Sequence, residues 1–318
     1  MGHFFRHIAF VVFFAASVCS AQGQDSILLK ITSVEQDIKK LCRLAFYSKI
    51  ESERIQANKD ILVCWNKIIH YPAVLSYPFD SLKKDISVLQ PADGKFKLIT
   101  WNIFKDDGSY FYFGFLAVNQ SKRIKTGIFS RRTVLGYESF QLQDKSPGIK
   151  TPESYIGSVD KWFGMLYYKV IDGDGFYTLL GYDPNDKLTQ RKFIDVLSFK
   201  ADGNPVFGKD VFRVPKKNPK RMMFEYGSGV TMSLRYDEAN QRITFSHLSA
   251  KDEGNMLDGQ FQFYGPDGSF DALVLKKDKW KNEKWQLEED IDARNIKSKN
   301  DNAEKPNPKK QKPIYKPK

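Results

Sequence analysis

The chain has 318 residues, 41% of them hydrophobic and 14% aromatic, which is enough for a sizeable folded core. Its formal net charge is +12, yet residues 295–318 hold eight lysines and two acidic residues, so much of the basic character belongs to that segment. Nucleic-acid binding requires cations grouped on an ordered face in a recognisable module, and the sequence contains no such module. We therefore expect a globular protein that does not bind nucleic acid.

The first residues show the three parts of a secretory signal peptide. Arg6 precedes an apolar run over residues 8–18, and small residues then lead to Ala21 and Gln22. The apolar run is about 11 residues long, whereas a bilayer-spanning helix needs roughly 20. We expect residues 1–21 to be removed, the product to be periplasmic or secreted, and the mature protein to have no transmembrane segment. Attachment of a lipid to Cys19 is the minority alternative.

Residues 22–91 form the predicted helical N-terminal region. Apolar residues recur at helical spacing over residues 27–45 and again over residues 55–69, which predicts two amphipathic helices. A third, short helix is expected to open at residues 77–81, with Leu82, Ile86 and Leu89 on one face and a proline just beyond.

Two cysteines, Cys42 and Cys64, lie in the two longer predicted helices. With Ser52 as the N-cap of the second helix and a turn near Glu53, each cysteine is eleven residues from the turn centre. The two would then face each other in an antiparallel hairpin, and disulfides persist in exported proteins. The spacing predicts either a Cys42–Cys64 bridge or two buried thiols that do not meet, and it does not decide between them.

Residues 92–294 form the predicted antiparallel β domain, so the whole chain is predicted as α+β. Its strand-like runs cover residues 96–104, 110–118, 125–130, 134–142, 162–171, 176–182, 192–199, 222–226, 230–236, 242–247, 260–264 and 270–275. Asp-Gly pairs begin at Asp93, Asp107, Asp172, Asp174, Asp202, Asp258 and Asp267. Because Asp and Gly accept the positive φ angles of tight turns, consecutive strands should pair as antiparallel neighbours. The runs fall into three groups of about four, which leaves a meander, a sandwich and a propeller-like arrangement open.

Scattered segments carry a resemblance to a known group of proteins. They are YPFDSL at residues 77–82, DGKF at 93–96, TWN at 100–102 and GMLYYK at 164–169, together with the Ala21-Gln22 junction. In these segments the chain is similar to an uncharacterised family of exported proteins from Bacteroidetes-type bacteria. The resemblance implies an exported location and lends no activity.

Motifs for metal binding or catalysis do not fit this chain. An EF-hand loop counted from Asp172 or from Asp183 would need glycine at its sixth position, where the sequence has Tyr177 or Leu188. The mature chain has two histidines and no HExxH or paired CxxC motif, which disfavours zinc. We expect no cofactor and no metal site.

Aromatic side chains are the remaining unusual feature. Tyr110 and Tyr112 alternate along one strand and therefore share a face. Exposed Tyr and Trp rings suit stacking on sugars or peptides, whereas buried rings form β cores, and core packing is the alternative here. The candidate ligand-binding residues, for a carbohydrate or a peptide, are Trp101, Tyr110, Tyr112 and Trp162.

These features together favour an exported, non-catalytic binding or envelope-associated protein of unknown ligand. The alternative is a secreted glycan-acting hydrolase with a carboxylate pair, since that chemistry needs one acid and one base or nucleophile at a set separation. Residues 295–318 contain four prolines and few apolar side chains, which predicts a disordered basic tail. Such a tail would either be attracted to an anionic envelope surface or serve only as a solubilising extension.

Export can be checked at the N-terminus. Mass spectrometry of the mature protein is expected to find Gln22 as its first residue, because signal peptidase cuts after small residues such as Ala21. A cytoplasmic protein that retains Met1 would contradict this prediction.

Overall fold

The computed structural model describes residues 4–125, 131–215, 218–250, 256–289 and 291, and it describes the side chains of these residues except those of 4–23 and 121–135. Its architecture is α+β, with helices followed by three sheets in which antiparallel pairing dominates. The predicted tail at residues 295–318 lies outside the described residues. So does most of the predicted strand at residues 125–130.

The N-terminal helices form an antiparallel hairpin. Helix α1 spans Phe4–Tyr47, helix α2 spans Glu51–Ile68, and the short helix α3 spans Ala73–Ser76. Ile31, Val34 and Ile38 recur at helical spacing on α1 and share one core with Ile61 and Trp65 of α2. Burial of these two apolar stripes holds the hairpin together.

The short helix lies N-terminal to its predicted position. Residue Phe79 has a φ of 51°, which is left-handed and incompatible with a continuing helix. The residues after it form turns, in which the amide of Leu82 donates to the carbonyl of Phe79 at 3.1 Å. Leu89, predicted on the helix face, belongs instead to the first strand.

The first sheet has four strands in chain order, each antiparallel to the next. Its strands are β1 (Ser87–Leu89), β2 (Phe96–Phe104), β3 (Tyr110–Lys125) and β4 (Arg131–Leu142). Alternate residues of β2 face opposite sides: Ile99 and Trp101 pack against the helices, whereas Phe96 and Leu98 pack against the second sheet. The first sheet is therefore the middle layer between helices and second sheet.

The second and third sheets have five strands each. The second contains β5 (Leu166–Gly173), β6 (Phe176–Asp183), β7 (Thr189–Phe199), β8 (Pro205–Phe207) and β10 (Met222–Gly227). The third contains β9 (Phe212–Arg213), β11 (Leu234–Asp237), β12 (Arg242–Ala250), β13 (Tyr264–Lys277) and β14 (Glu283–Glu288). Only the β14–β9 pair among these described strands is parallel. The three predicted groups of strands correspond to these three sheets.

Two Asp-Gly pairs illustrate different uses of the same dipeptide. Gly108, with a φ of +96°, makes the turn between β2 and β3, where a Cβ would meet the side chain of Lys187 at 2.6 Å. Gly268, with a φ of +100°, lies within β13 at a register shift opposite Ser246 and Leu248. The Asp267-Gly268 pair is therefore a strand irregularity and not the predicted hairpin turn.

Cys42 and Cys64 are free, buried thiols, so the bridge that their spacing allowed is not formed. With Ser52 as its N-cap, helix α2 would begin at residue 53. It begins instead at Glu51, so the centre of the turn between the helices is Lys49. Cys42 is seven residues before that centre and Cys64 is fifteen residues after it. At 1.5 Å per residue, this offset separates the two by about 12 Å along the helix axes.

The thiols should be unreactive in the folded protein. Burial raises the pKa of Cys42 to about 12 and also raises the pKa of Cys64, so little thiolate forms at neutral pH. We expect slow labelling of the native mature chain by a thiol reagent, two labelled thiols after denaturation, and the same thermal midpoint with and without reductant. A bridge closing this loop would contribute about 3 kcal/mol, so a clear fall in the midpoint on reduction would contradict the assignment.

Candidate functional site

A cleft of about 460 Å³ lies between the first and second sheets. One wall is formed by the β2–β3 turn and the start of β3, and the other by β6, β7 and β10 of the second sheet. The segment after β4 contributes further lining residues. The lining includes the polar or charged residues Lys105, Ser109, Tyr110, Tyr112, Asp144, Ser146, Lys150, Asp183, Asn185, Arg191 and Glu225.

Three charged residues form a row across the second-sheet wall. Asp183 on β6 is opposite Arg191 on β7, which is opposite Glu225 on β10. The Nε of Arg191 donates to Oε2 of Glu225 at 2.9 Å, and its Nη1 is 3.7 Å from Oδ2 of Asp183. Antiparallel register therefore places one guanidinium between two carboxylates.

Asp183 is the most deeply buried member of this row, with 5% of its surface exposed. Its Oδ1 accepts a hydrogen bond from the Tyr112 hydroxyl and another from the backbone N–H of Asn185 at 2.6 Å. Burial raises the pKa of Asp183, and the charge of Asp144 raises it further, although the two hydrogen bonds and Arg191 oppose the rise. Burial and Asp183 also raise the pKa of Tyr112, so its hydroxyl stays a donor.

Asp144 is a second carboxylate in the cleft, held by the chain that follows it. Its Oδ1 accepts from the backbone N–H and the hydroxyl of Ser146, at 2.9 and 2.5 Å, and from the N–H of Gly164 at 3.2 Å. The structure records no hydrogen bond to its Oδ2 from the described residues. Asp144 therefore has an oxygen available to a ligand.

Phe111 is an exposed aromatic residue at the cleft, and its side chain lies on the strand face opposite to that of Tyr112. Phe111 keeps 42% of its surface exposed, and the ammonium of Lys105 lies 4.9 Å from its ring centroid. The ammonium is held beside the ring by the carboxylate of Asp107 at 2.8 Å. Phe111 is therefore on the side away from Asp183, and the cleft-lining ring on the same strand face as Tyr112 is that of Tyr110.

The structure brings two of the four predicted ligand-binding residues to the cleft. Tyr110 and Tyr112 line it, and Tyr112 contributes mainly its hydroxyl because its ring is largely buried. Trp101 is buried between β2 and the helices, where its Nε1 donates to Asn58 at 2.7 Å. Trp162 is fully buried and donates to the Tyr167 hydroxyl at 3.2 Å. Both tryptophans are core residues with no ring face open to a ligand.

Asp144, Arg191 and Glu225 were not candidates from sequence. They are far apart in the chain, and cross-strand register alone brings the latter two together. Asp183 lies in an acidic segment that matched a turn better than a calcium loop. In the described part of the chain, no group of three or more His, Cys, Asp or Glu residues is arranged to hold a metal ion.

No helix among the described residues combines the length and apolar character of a membrane span. Comparison with protein-family models, with curated proteins and with solved structures gives no match to this chain.

The burial of Asp183 has a consequence for stability. Because the folded-state pKa is raised, the folded protein binds this proton more tightly than the unfolded chain does. The contribution of Asp183 to the free energy of unfolding is fully present below the unfolded-state pKa of about 3.9. It is lost as pH rises through the folded-state pKa.

Asp183→Asn is therefore expected to leave the thermal midpoint at pH 7 unchanged or higher, because the amide removes the buried charge and can still accept from Tyr112. The matched control is Asp160→Asn, which changes an exposed acid and should leave the midpoint unchanged. The thermal midpoints of both variants are measured by circular dichroism at pH 4 and pH 7. A midpoint several degrees lower for Asp183→Asn at pH 7 would contradict the argument.

Proposed function

We propose that this chain is an exported, non-catalytic binding protein whose cleft holds a carbohydrate. The observation that carries the proposal is the aromatic residue Tyr110 in a cleft whose other wall carries the row of Asp183, Arg191 and Glu225. Sugars present apolar C–H faces and hydroxyl groups that both donate and accept. An aromatic ring suits the faces, while carboxylates and a guanidinium suit the hydroxyls.

The proposed location rests on the N-terminal sequence and on the resemblance to exported proteins of Bacteroidetes-type bacteria. The product would be periplasmic or secreted. The basic residues 295–318, which lie outside the described structure, would attract it to an anionic envelope surface.

A hydrolase that acts on glycans is the second candidate, and one observation favours it. Asp144 and Asp183 line the same cleft, and burial raises the pKa of Asp183. A glycosidase needs a carboxylic acid that stays protonated near its working pH and a second carboxylate that acts as base or nucleophile. Asp183 would be the acid and Asp144 the second group.

A glycan array followed by calorimetry on the selected sugar tests the binding proposal. Tyr110→Ala is expected to weaken binding about tenfold, since an aromatic contact contributes roughly 0.5–1.5 kcal/mol beyond its burial. Trp280→Ala is the matched control, because Trp280 is an exposed aromatic in the β13–β14 turn of the third sheet. Absence of any glycan ligand, or equal loss in both variants, would contradict the proposal.

The same sugar distinguishes the two candidates through Asp183→Asn. If the chain is a binding protein, Asp183→Asn weakens its affinity for the sugar, and neither the wild type nor the variant releases a hydrolysis product. In a hydrolase the wild type releases reducing ends, and the variant retains the sugar but stops that release. Detection of reducing ends from the wild type would replace the binding proposal with the hydrolase.

A further inference from the structure

Strands β3 and β4 extend beyond the rest of the first sheet. Strand β2 pairs with β3 as far as Phe96 opposite Val118, and the amide of Asn119 donates to Lys95 at 2.8 Å. Farther along, residues 119–125 of β3 pair with residues 131–137 of β4, and with no other strand among those described. These two segments, called the basic ribbon below, form a two-stranded extension.

The base of the basic ribbon is fixed on both strands. On β3, the Nε2 of Gln120 donates to the carbonyl of Gly203 in the β7–β8 turn at 3.0 Å. On β4, the hydroxyl of Tyr137 donates to the carbonyl of Ile69, just after α2. The ribbon therefore leaves the folded body from a fixed position.

The basic ribbon has a large excess of positive charge. Its paired positions carry five cationic residues and no acidic residue, and the first acid after it is Glu138. The cationic residues are Lys122, Arg123, Lys125, Arg131 and Arg132. Register places Lys125 directly opposite Arg131, and like charges at opposite positions destabilise a strand pair. An anionic partner would offset that repulsion.

Two apolar residues lie opposite cations in the register. Ile124 is opposite Arg132, and Val134 is opposite Lys122. A lipid interface suits this mixture, because headgroups attract cations while the acyl boundary accepts apolar residues. A nucleic acid or another water-soluble polyanion would use the cations alone.

We propose that the basic ribbon docks on an anionic phospholipid surface. The attraction comes from the charge and register of β3 and β4, and it requires neither a ligand in the cleft nor residues 295–318. The partner is the lipid headgroup layer and the acyl boundary beneath it.

Co-sedimentation of the full mature chain with vesicles tests this proposal. The vesicles contain either mixed phosphatidylglycerol and phosphatidylcholine or phosphatidylcholine alone. Binding is expected for the mixed vesicles only, and it should fall sharply between 0.1 M and 1 M salt as the Debye length shortens from about 10 to about 3 Å.

The test variant combines Arg123→Thr, Lys125→Thr and Arg131→Thr. Each cation near an anionic surface contributes about 1 kcal/mol, so losing three should weaken binding roughly 100-fold. The matched control removes the same charge from exposed helix-hairpin positions, as Lys49→Gln, Lys59→Gln and Lys67→Gln. Its binding should change less than threefold. Thermal melts of both variants establish that they are folded.

Several outcomes would overturn the proposal. One is equal binding to both kinds of vesicle, and another is an equal loss of binding in the two variants. A third is binding by the ribbon variant within threefold of wild type, and this result would assign the attraction to residues 295–318. Single-stranded DNA bound as tightly as the vesicles, with the same loss in the ribbon variant, would assign the ribbon to nucleic acid instead. If the ribbon variant does not fold, Lys125→Thr alone replaces it, with an expected loss of about fivefold.

Discussion

A buried ion pair between Asp195 and Arg221 fixes the part of the molecule on which the cleft depends. Both residues have 0% of their surface exposed, and the Arg221 Nη2 donates to Oδ2 of Asp195 at 3.1 Å. The Tyr167 hydroxyl donates to the same oxygen at 2.7 Å. Charges removed from water are stable only when they are paired and hydrogen-bonded, so this arrangement tolerates little displacement.

The pair also holds the segment after β4, which lines the cleft. Nη1 of Arg221 donates to the carbonyl of Pro152 at 3.1 Å, and its guanidinium lies 5.4 Å from the ring centroid of Phe163. Pro152 and Phe163 both line the cleft. The long connection between the first and second sheets is thereby fixed against strand β7, where Asp195 lies. The position of Asp144 follows from that connection, because the N–H of Gly164 donates to it.

The α+β class and many strand positions followed from local patterns. The predicted run at residues 96–104 matches β2, since its alternating apolar residues are buried on two faces. Strand β14 (Glu283–Glu288) was missed because three of its six residues are charged and only Trp285 is buried. The strand prediction for residues 260–264 was wrong except at Tyr264, because Phe261–Phe263 form a 3₁₀ helix. Whether such segments become strands depends on which strands they pair with, and the local spacing of apolar residues does not specify that pairing.

The candidate site could be predicted only in part, for the same reason. Tyr110 and Tyr112 were found because they alternate within one strand. The row of Asp183, Arg191 and Glu225 depends on the register of three strands, which no local pattern specifies. The cationic positions of β3 and β4 in the basic ribbon likewise become neighbours only when the two strands pair.

A double-mutant cycle on the buried pair measures how strongly Asp195 and Arg221 stabilise the fold through each other. The variants are Asp195→Asn, Arg221→Met and their combination, each unfolded with denaturant at pH 7. Each single change is expected to cost about 3–5 kcal/mol, because it leaves one buried charge unpaired, and the double change should cost clearly less than the sum. Additive losses, or single losses below about 1 kcal/mol, would contradict the claim that this pair fixes the wall of the cleft.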